Sequence, residues 1–300
     1  MPDDSALRSL LRFSRYSALP DEDMDVTEGA LLVAEIAYPH LDHASICTRL
    51  DVLARQVRRE AGLTPGSIVS SGQHASRDTA LRTLRALADV LGQHEDFHGN
   101  ERDYYDPRNS FLNDVLERQV GLPITLSVLY MSVAQRIGAP LLGVGLPSHF
   151  LTKWPLPEEE GGDVFIDAFR RGTLMSREEI QRFTAHITAE NSTRNEIEML
   201  LIQTVSARQI ITRMLNNLKA VYLHRGEMRS ALDVEERLML IDRDNPLHLR
   251  DKGLLRLALG DTLLASADLA AYEKRAPDAQ ELARLRVRFA RINEIRNKLN

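Results

Sequence analysis

Residues 123–137, PITLSVLYMSVAQRI, are apolar on nearly every side of a helix, and this segment constrains the fold most tightly. A helix without a polar face has to be enclosed all round. Pro123 suits its first turn, where a missing N–H leaves no donor unpaired. Gly138 and Pro140 end it. Short apolar runs follow: LLGVGLP, HFLTKW and, after the turn-rich acidic PLPEEEGG, DVFIDAF closed by Gly172. Runs of that length between turn residues are strands. A buried helix backed by at least three strands predicts a compact α+β unit.

The chain before this unit reads as helical. Thr27 is a cap candidate for a helix through ALLVAEIAY that stops at Pro39. Ile46, Leu50, Val52, Leu53 and Val57 are spaced as a helical stripe over residues 44–60, and Leu81, Leu84, Leu87, Val90 and Leu91 form another. TPGSIVSSGQ between them predicts a loop. Phe111 to Val120 predicts a short helix ending at Gly121. Beyond residue 190 the strand pattern stops. Gly226 and Gly260 are 34 residues apart, as are Ala231 and Ala265. That period is the tetratricopeptide repeat, a pair of helices. Leu215, Leu218 and Tyr222 mark its first helix, Gly253 and Pro277 fit the second copy, and residues 279–299 predict a capping helix. The expected division is residues 1–190, with an α+β core at about 105–175, and residues 191–300, all helical. A two-copy array has to lean on its neighbour for burial.

Charge and cysteine narrow the function classes. With 38 basic and 43 acidic residues the net charge is -5, which argues against broad, charge-driven nucleic-acid binding. A single cysteine, Cys47, excludes an internal disulfide and a multi-cysteine zinc site, and fits a reducing compartment. MPDDSALRSLLRF lacks a basic start and an apolar run, and no apolar stretch is long enough to span a membrane. A cytoplasmic protein without cofactor or metal is expected; the sequence does not indicate its oligomeric state.

His149 stands between two apolar runs, and Asp167 lies inside VFIDAF. A carboxylate in an apolar strand needs a partner. On neighbouring strands the two side chains can pair, with the acid orienting the imidazole. A structural hydrogen bond is the alternative use of such a pair. Other groupings carry less. His94 and His98 are four apart, near Asp96, but Gly99-Asn100 breaks any helix that would hold a metal there. His40, His43 and Cys47 straddle Pro39, which suits polar residues at a helix start and a small buried hydrophobe. Glu158, Glu159 and Glu160 suit a solvated loop. In YYDPRNS and the residues just after it, Tyr104, Tyr105, Asn109 and Asn113 surround a turn at Asp106-Pro107. They suit either a pocket wall over the start of the buried helix or a lock on the chain's approach to the core.

The order of these features carries a resemblance. YYDPRNSFLNDVLERQVGLPITLSVLY, then GVGLPSHFL, then FIDAFRRG, resembles the SirB-type bacterial family, a transglutaminase-like domain followed by tetratricopeptide repeats. The likeness covers roughly residues 25–290. It implies a papain-like helix-plus-sheet core, with His149 in the family's base position and Asp167 in its acid position. Active relatives open the helix with Gly-x-Cys. Here Gly121-Leu122-Pro123 stands in that place, and Cys47 lies 76 residues earlier. A proline offers no nucleophile.

Thr125 and Ser127 are the nearest hydroxyls. Two positions along a helix turn a side chain by about 200°, so Thr125 does not inherit the geometry of position 123. Capping or back-bonding is the expected role of both. The lead expectation is an interaction protein with a catalytically degenerate transglutaminase-like domain and a protein or peptide partner on the repeats. The rival is an amide-bond hydrolase or acyl transferase using Thr125 or Ser127 with His149 and Asp167. A third is a small-ligand or peptide binder that keeps the cleft, with Tyr104, Tyr105, Asn109, Asn113 and Pro123 as its walls.

Overall fold

The computed structural model describes residues 4–64, 76–187 and 199–275. Four helices lead: α1 (Asp4–Ser17), α2 (Val26–Ala34), α3 (His43–Glu60) and α4 (Arg77–Leu87). A π-helical turn, Ala88–His94, extends α4. Strand β1 (His98–Gly99) precedes α5 (Leu112–Arg118) and pairs in parallel with β2 (Val120–Gly121). The apolar segment is α6 (Pro123–Ile137). An antiparallel sheet follows, β3 (Leu142–Leu146), β4 (His149–Trp154), β5 (Val164–Asp167) and β6 (Thr173–Met175), in that order. Then come α7 (Arg177–Ile187), α8 (Ala207–Arg225), α9 (Met228–Ile241), α10 (Leu247–Ala258) and α11 (Thr262–Arg275).

Helix α6 is enclosed as its composition requires. Ile124, Leu126, Val128, Leu129, Val133 and Ile137 are at most 3% exposed, and of the helix's apolar residues only Met131 is half-buried. Pro123 occupies the first turn and Gly138 closes the helix in the left-handed region. Alternation along the strands divides the sheet between two clusters. Phe150, Trp154, Val164 and Ile166 enter the main core with α6, while Leu151 and Phe165 join Val144, Leu146, Ile180 and Leu201 in a smaller one. Lys153 is buried on that second side. Its ammonium donates to Asp163 Oδ2 at 2.8 Å and to the carbonyls of Leu201 and Ile202 at 2.8 and 2.9 Å. Three acceptors compensate its desolvation and fasten the segment before α8 to the sheet.

The repeat spacing reports stacked helices. The two-residue link Gly226–Glu227 turns the chain from α8 into α9, and Gly226 and Gly260 both adopt positive φ where their helices end. Ala231 and Ala265 have no exposed surface. A Cβ on Gly253 would lie 2.8 Å from the Leu269 side chain, so α10 and α11 approach closely. One buried cluster runs across residue 190, from Phe13 and Tyr16 through Leu50, Leu129 and Phe150 to Ile211 and Leu238. Arg208 ties α8 to the N-terminal region, donating to the carbonyls of Ser17 and Leu19. Arg237 of α9 donates to Ser9 Oγ at 3.0 Å.

Three local expectations are corrected. The cap of α2 is Asp25, whose carboxylate accepts from Glu28 N–H. Thr27 instead donates to Ser132 Oγ of α6 at 2.8 Å, a buried partner that competes with capping. That helix ends at Ala34, before Pro39. Helix α5 ends at Arg118 with Gln119 left-handed, because Val120 and Gly121 are drawn into pairing with β1. Most of the TPGSIVSSGQ segment, Pro277 and residues 279–299 lie outside the described residues.

Candidate functional site

His149 opens β4 directly after a tight hairpin, where it pairs with Leu146 across Pro147-Ser148. Ser148 adopts φ 54, a conformation that costs a side-chain-bearing residue and marks a constrained turn. The β4–β5 register aligns Lys153 with Phe165. Continued by two residues, it sets Asp167 beside Leu151, on the same face as His149. The pair forms: His149 Nε2 lies 3.0 Å from Asp167 Oδ2, and both residues are buried. The other carboxylate oxygen of Asp167 accepts the N–H groups of Phe169 and Arg170. The acid is thereby fixed by backbone while it holds the imidazole.

Two rings bound that imidazole. Phe169 meets it edge-on with centroids 6.0 Å apart, and Phe183 of α7 does so at 5.2 Å. The Arg170 guanidinium sits 4.2 Å above the Phe183 ring. Phe169 also lies against Gly99, whose strand pairs with Gly121 just before Pro123. The Phe169 ring therefore faces both the imidazole and the strand that pairs with the residues just before α6.

Neither hydroxyl near that start is bonded to His149. Ser127 Oγ reaches across to the Phe150 carbonyl at 3.5 Å, and Thr125 Oγ1 is enclosed without a hydrogen-bond partner. Capping and back-bonding, the roles expected of both, are therefore not adopted. Ser127 turns to a carbonyl of the sheet instead, and α6 is capped by Leu122, whose side chain offers no acceptor. Pro123 is buried at the first helical position. Cys47 is half-buried on α3 and packs against the core.

Several residues near the site were not evident from sequence. Tyr130 of α6 has a fully enclosed hydroxyl with no partner. Burial, and then the charge of Asp167, push its phenol far above the ordinary range. Arg213 of α8 donates to the carbonyls of Leu146 and His149, at 2.8 and 2.6 Å, clasping both ends of the hairpin. Gly92 lies in the π-helical turn against the loop after Asp167; a Cβ there would come within 2.0 Å of the Arg171 carbonyl. The sequence motif FIDAFRRG holds Phe169 and Arg171, but nothing in it points to their partners.

The YYDPRNS segment is knotted by Asn109. Its amide donates to the carbonyls of Asp103 and Tyr104 and accepts from Asn100, while its own carbonyl accepts Leu122 N–H. Asp106 caps the turn through Arg108 N–H and pairs with Arg108 and Arg118. Those pairs outweigh its burial and hold its carboxyl below the usual range. Asn113 has an enclosed, unpartnered Oδ1. Tyr104 and Tyr105 remain exposed, and Tyr105 stacks on His224 of α8 with centroids 4.0 Å apart. The segment's Asn and Asp side chains thus lock the chain, and its tyrosines reach toward the repeats.

Elsewhere, His94 ends the π-helical turn and His98 lies in β1, so they share no helix face. Among the described residues no cluster of three or more His, Cys, Asp or Glu is placed to hold a metal. His43 begins α3 and pairs with buried Glu35 at 2.7 Å. No helix among the described residues is long and apolar enough to cross a membrane.

Comparison with known proteins places these features in context. Residues 44–216 match the transglutaminase-like superfamily and residues 218–290 match the tetratricopeptide repeat. A UPF0162 protein of Xylella fastidiosa is 31% identical over 277 residues, 91% of this chain and 92% of the relative. A UPF0162 protein of Vibrio cholerae is 28% identical over 276 residues, 90% of this chain and 94% of the relative. F-box only protein 21 of Mus musculus is 28% identical over 223 residues, 69% of this chain and 34% of that longer protein. No solved structure matches.

Proposed function

The chain belongs to the transglutaminase-like superfamily, with tetratricopeptide repeats behind the core, and on that premise we propose that it is a cytoplasmic protein-interaction module whose transglutaminase-like site is catalytically degenerate. The observation that carries this reading is Pro123 at the first position of α6, where the superfamily's nucleophile is expected, together with an imidazole faced by phenyl rings. The residual His149–Asp167 pair then serves to hold β4 and β5 together. The region shared with F-box only protein 21 forms only about a third of that protein, which fits a unit used beside other parts.

The repeats supply a surface for a partner. A cavity of about 300 Å³ opens between α8 and α10, lined by Leu223, Leu254, Leu257 and Ala258, with the ion pair Lys219–Asp251 at its side. Apolar walls with a few fixed charges suit a peptide or helix laid across the repeats. The test compares capture of partners by the full chain, by Leu223→Asp and by His149→Ala. Loss with the first variant and retention with the second supports the reading; the reverse pattern contradicts it. One observation favours the rival hydrolase or acyl transferase: Thr125 keeps an unpartnered hydroxyl in the first turn of α6. Without a base bonded to it, that hydroxyl is a weak nucleophile.

A further inference from the structure

We propose that the space beside His149 is a recognition slot for an aromatic side chain of a peptide ligand, and that Phe183 of α7 is its internal stand-in. The Arg170 guanidinium lies 4.2 Å over the face of the Phe183 ring, and the His149 imidazole meets that ring edge-on with centroids 5.2 Å apart. Phe169 meets the same imidazole edge-on at 6.0 Å. A cation over a ring face, with aromatic edges beside it, selects for a ring; an aliphatic chain gains neither contact. The charge of Arg170 is not free to attract an anion, since its Nε lies 3.8 Å from Asp167 Oδ2. What it offers a ligand is its planar surface, and that surface already covers a phenyl ring.

The two phenyl rings are held differently. Phe169 packs on the main core and against Gly99 of β1, where a Cβ would come within 2.3 Å of the ring. It is a fixed wall. Phe183 is half-buried and packs on the smaller cluster. Among the described residues α7 adds none to the main core. That helix is fastened at its first turn: Ile180 is enclosed in the smaller cluster, Glu179 accepts the Ser176 N–H at 2.7 Å, and Arg177 pairs with Glu158 at 3.2 Å. Phe183 lies about one turn beyond that anchorage.

Displacing the Phe183 ring leaves the rest of the slot intact. Asp167 is bonded by His149 and by the N–H groups of Phe169 and Arg170, none of them on α7. A ligand ring that replaces Phe183 therefore finds the imidazole and the guanidinium already placed. The proposal rests on the reading of this site as catalytically degenerate, and goes beyond it by giving the cleft a ligand.

An NMR titration of the full chain tests this. The probe is N-acetyl-phenylalanine amide, and the readout is the imidazole signals of His149, assigned with His149→Gln. A saturable shift is expected, with N-acetyl-leucine amide at least about tenfold weaker. Phe183→Ala removes the internal competitor and should bind the probe about tenfold more tightly, because no occupied state has to be opened. Arg170→Gln should weaken binding about threefold. Leu223→Asp, on the repeat cavity, should change nothing, and because binding is read instead of turnover, this proposal and the loss of chemistry fail separately. If Phe183→Ala is misfolded by circular dichroism, Phe183→Leu decides, with a gain of about threefold expected. No shift in either the native chain or the folded Phe183 variant, equal affinity for the leucine amide, or indifference to Arg170→Gln would overturn the proposal.

Discussion

Leu129 has no exposed surface and sits mid-way along α6, so Leu129→Ala leaves a cavity at the centre of the core. A loss of about 2–5 kcal/mol is expected in denaturant titration; a loss under about half a kcal/mol would contradict the enclosure of the helix. Gly92→Ala forces a methyl onto the Arg171 carbonyl, and overpacking of that kind costs about 1–3 kcal/mol. A variant with unchanged melting would show that the π-helical turn shifts freely. At this scale the sequence disclosed residues that violate their surroundings. His149 and Asp167 stood out as polar groups in apolar runs, and an enclosed carboxylate demands a partner. Arg213, Tyr130 and Gly92 did not stand out, because each acts on a segment distant along the chain. Arg213 bonds a hairpin more than 60 residues before it, and an arginine on an amphipathic helix looks the same whether it meets water or a carbonyl.

Among the elements, the repeat pair carries a built-in dependence on pH. His248 of α10 is buried between two carboxylates, with Nδ1 2.7 Å from Glu235 and Nε2 3.0 Å from Asp242. Lys219 holds the second oxygen of Glu235 and also pairs with Asp251, which Arg250 bonds as well. Burial pushes the imidazole down, but the two carboxylates outweigh it and leave His248 above the ordinary histidine range. A group raised on folding stabilises fully below its unfolded value, about 6.5, and that contribution is lost as pH rises through the folded value. The melting temperature should therefore fall across that interval, and His248→Gln should flatten the dependence. An unaltered profile in the variant would remove the assignment. Ala231→Leu addresses the stacking itself: an overpacked contact between helices should cost about 1–3 kcal/mol and lower the melting temperature. Periodicity made α3, α6 and the repeat helices legible. Their ends were less so, since Thr27 gives its hydroxyl to Ser132 of α6, a contact no local rule contains.

For the whole molecule, the repeats lean on the preceding region as a short array must, through one continuous core. A division near residue 190 follows the change from mixed to helical patterning, yet α1 packs beside α9 and a single buried cluster joins Phe13 to Leu238. Sequence pattern reports local period, and it does not report which distant helices share a core. Arg208 and Arg213 fasten α8 to backbone carbonyls on both the N-terminal region and the hairpin, so repeats and core should unfold in one transition. The pairing of His149 with Asp167 was legible through the order of the elements, while the phenyl rings around the imidazole were not. Whether this site has lost its chemistry is decided by turnover. The purified chain is incubated with glutamine donors, amine acceptors and peptide libraries, beside His149→Ala and Thr125→Ala. No turnover above background is expected from any of the three; turnover by the native chain that vanishes in both folded variants would contradict the loss of chemistry and establish a hydroxyl-nucleophile enzyme.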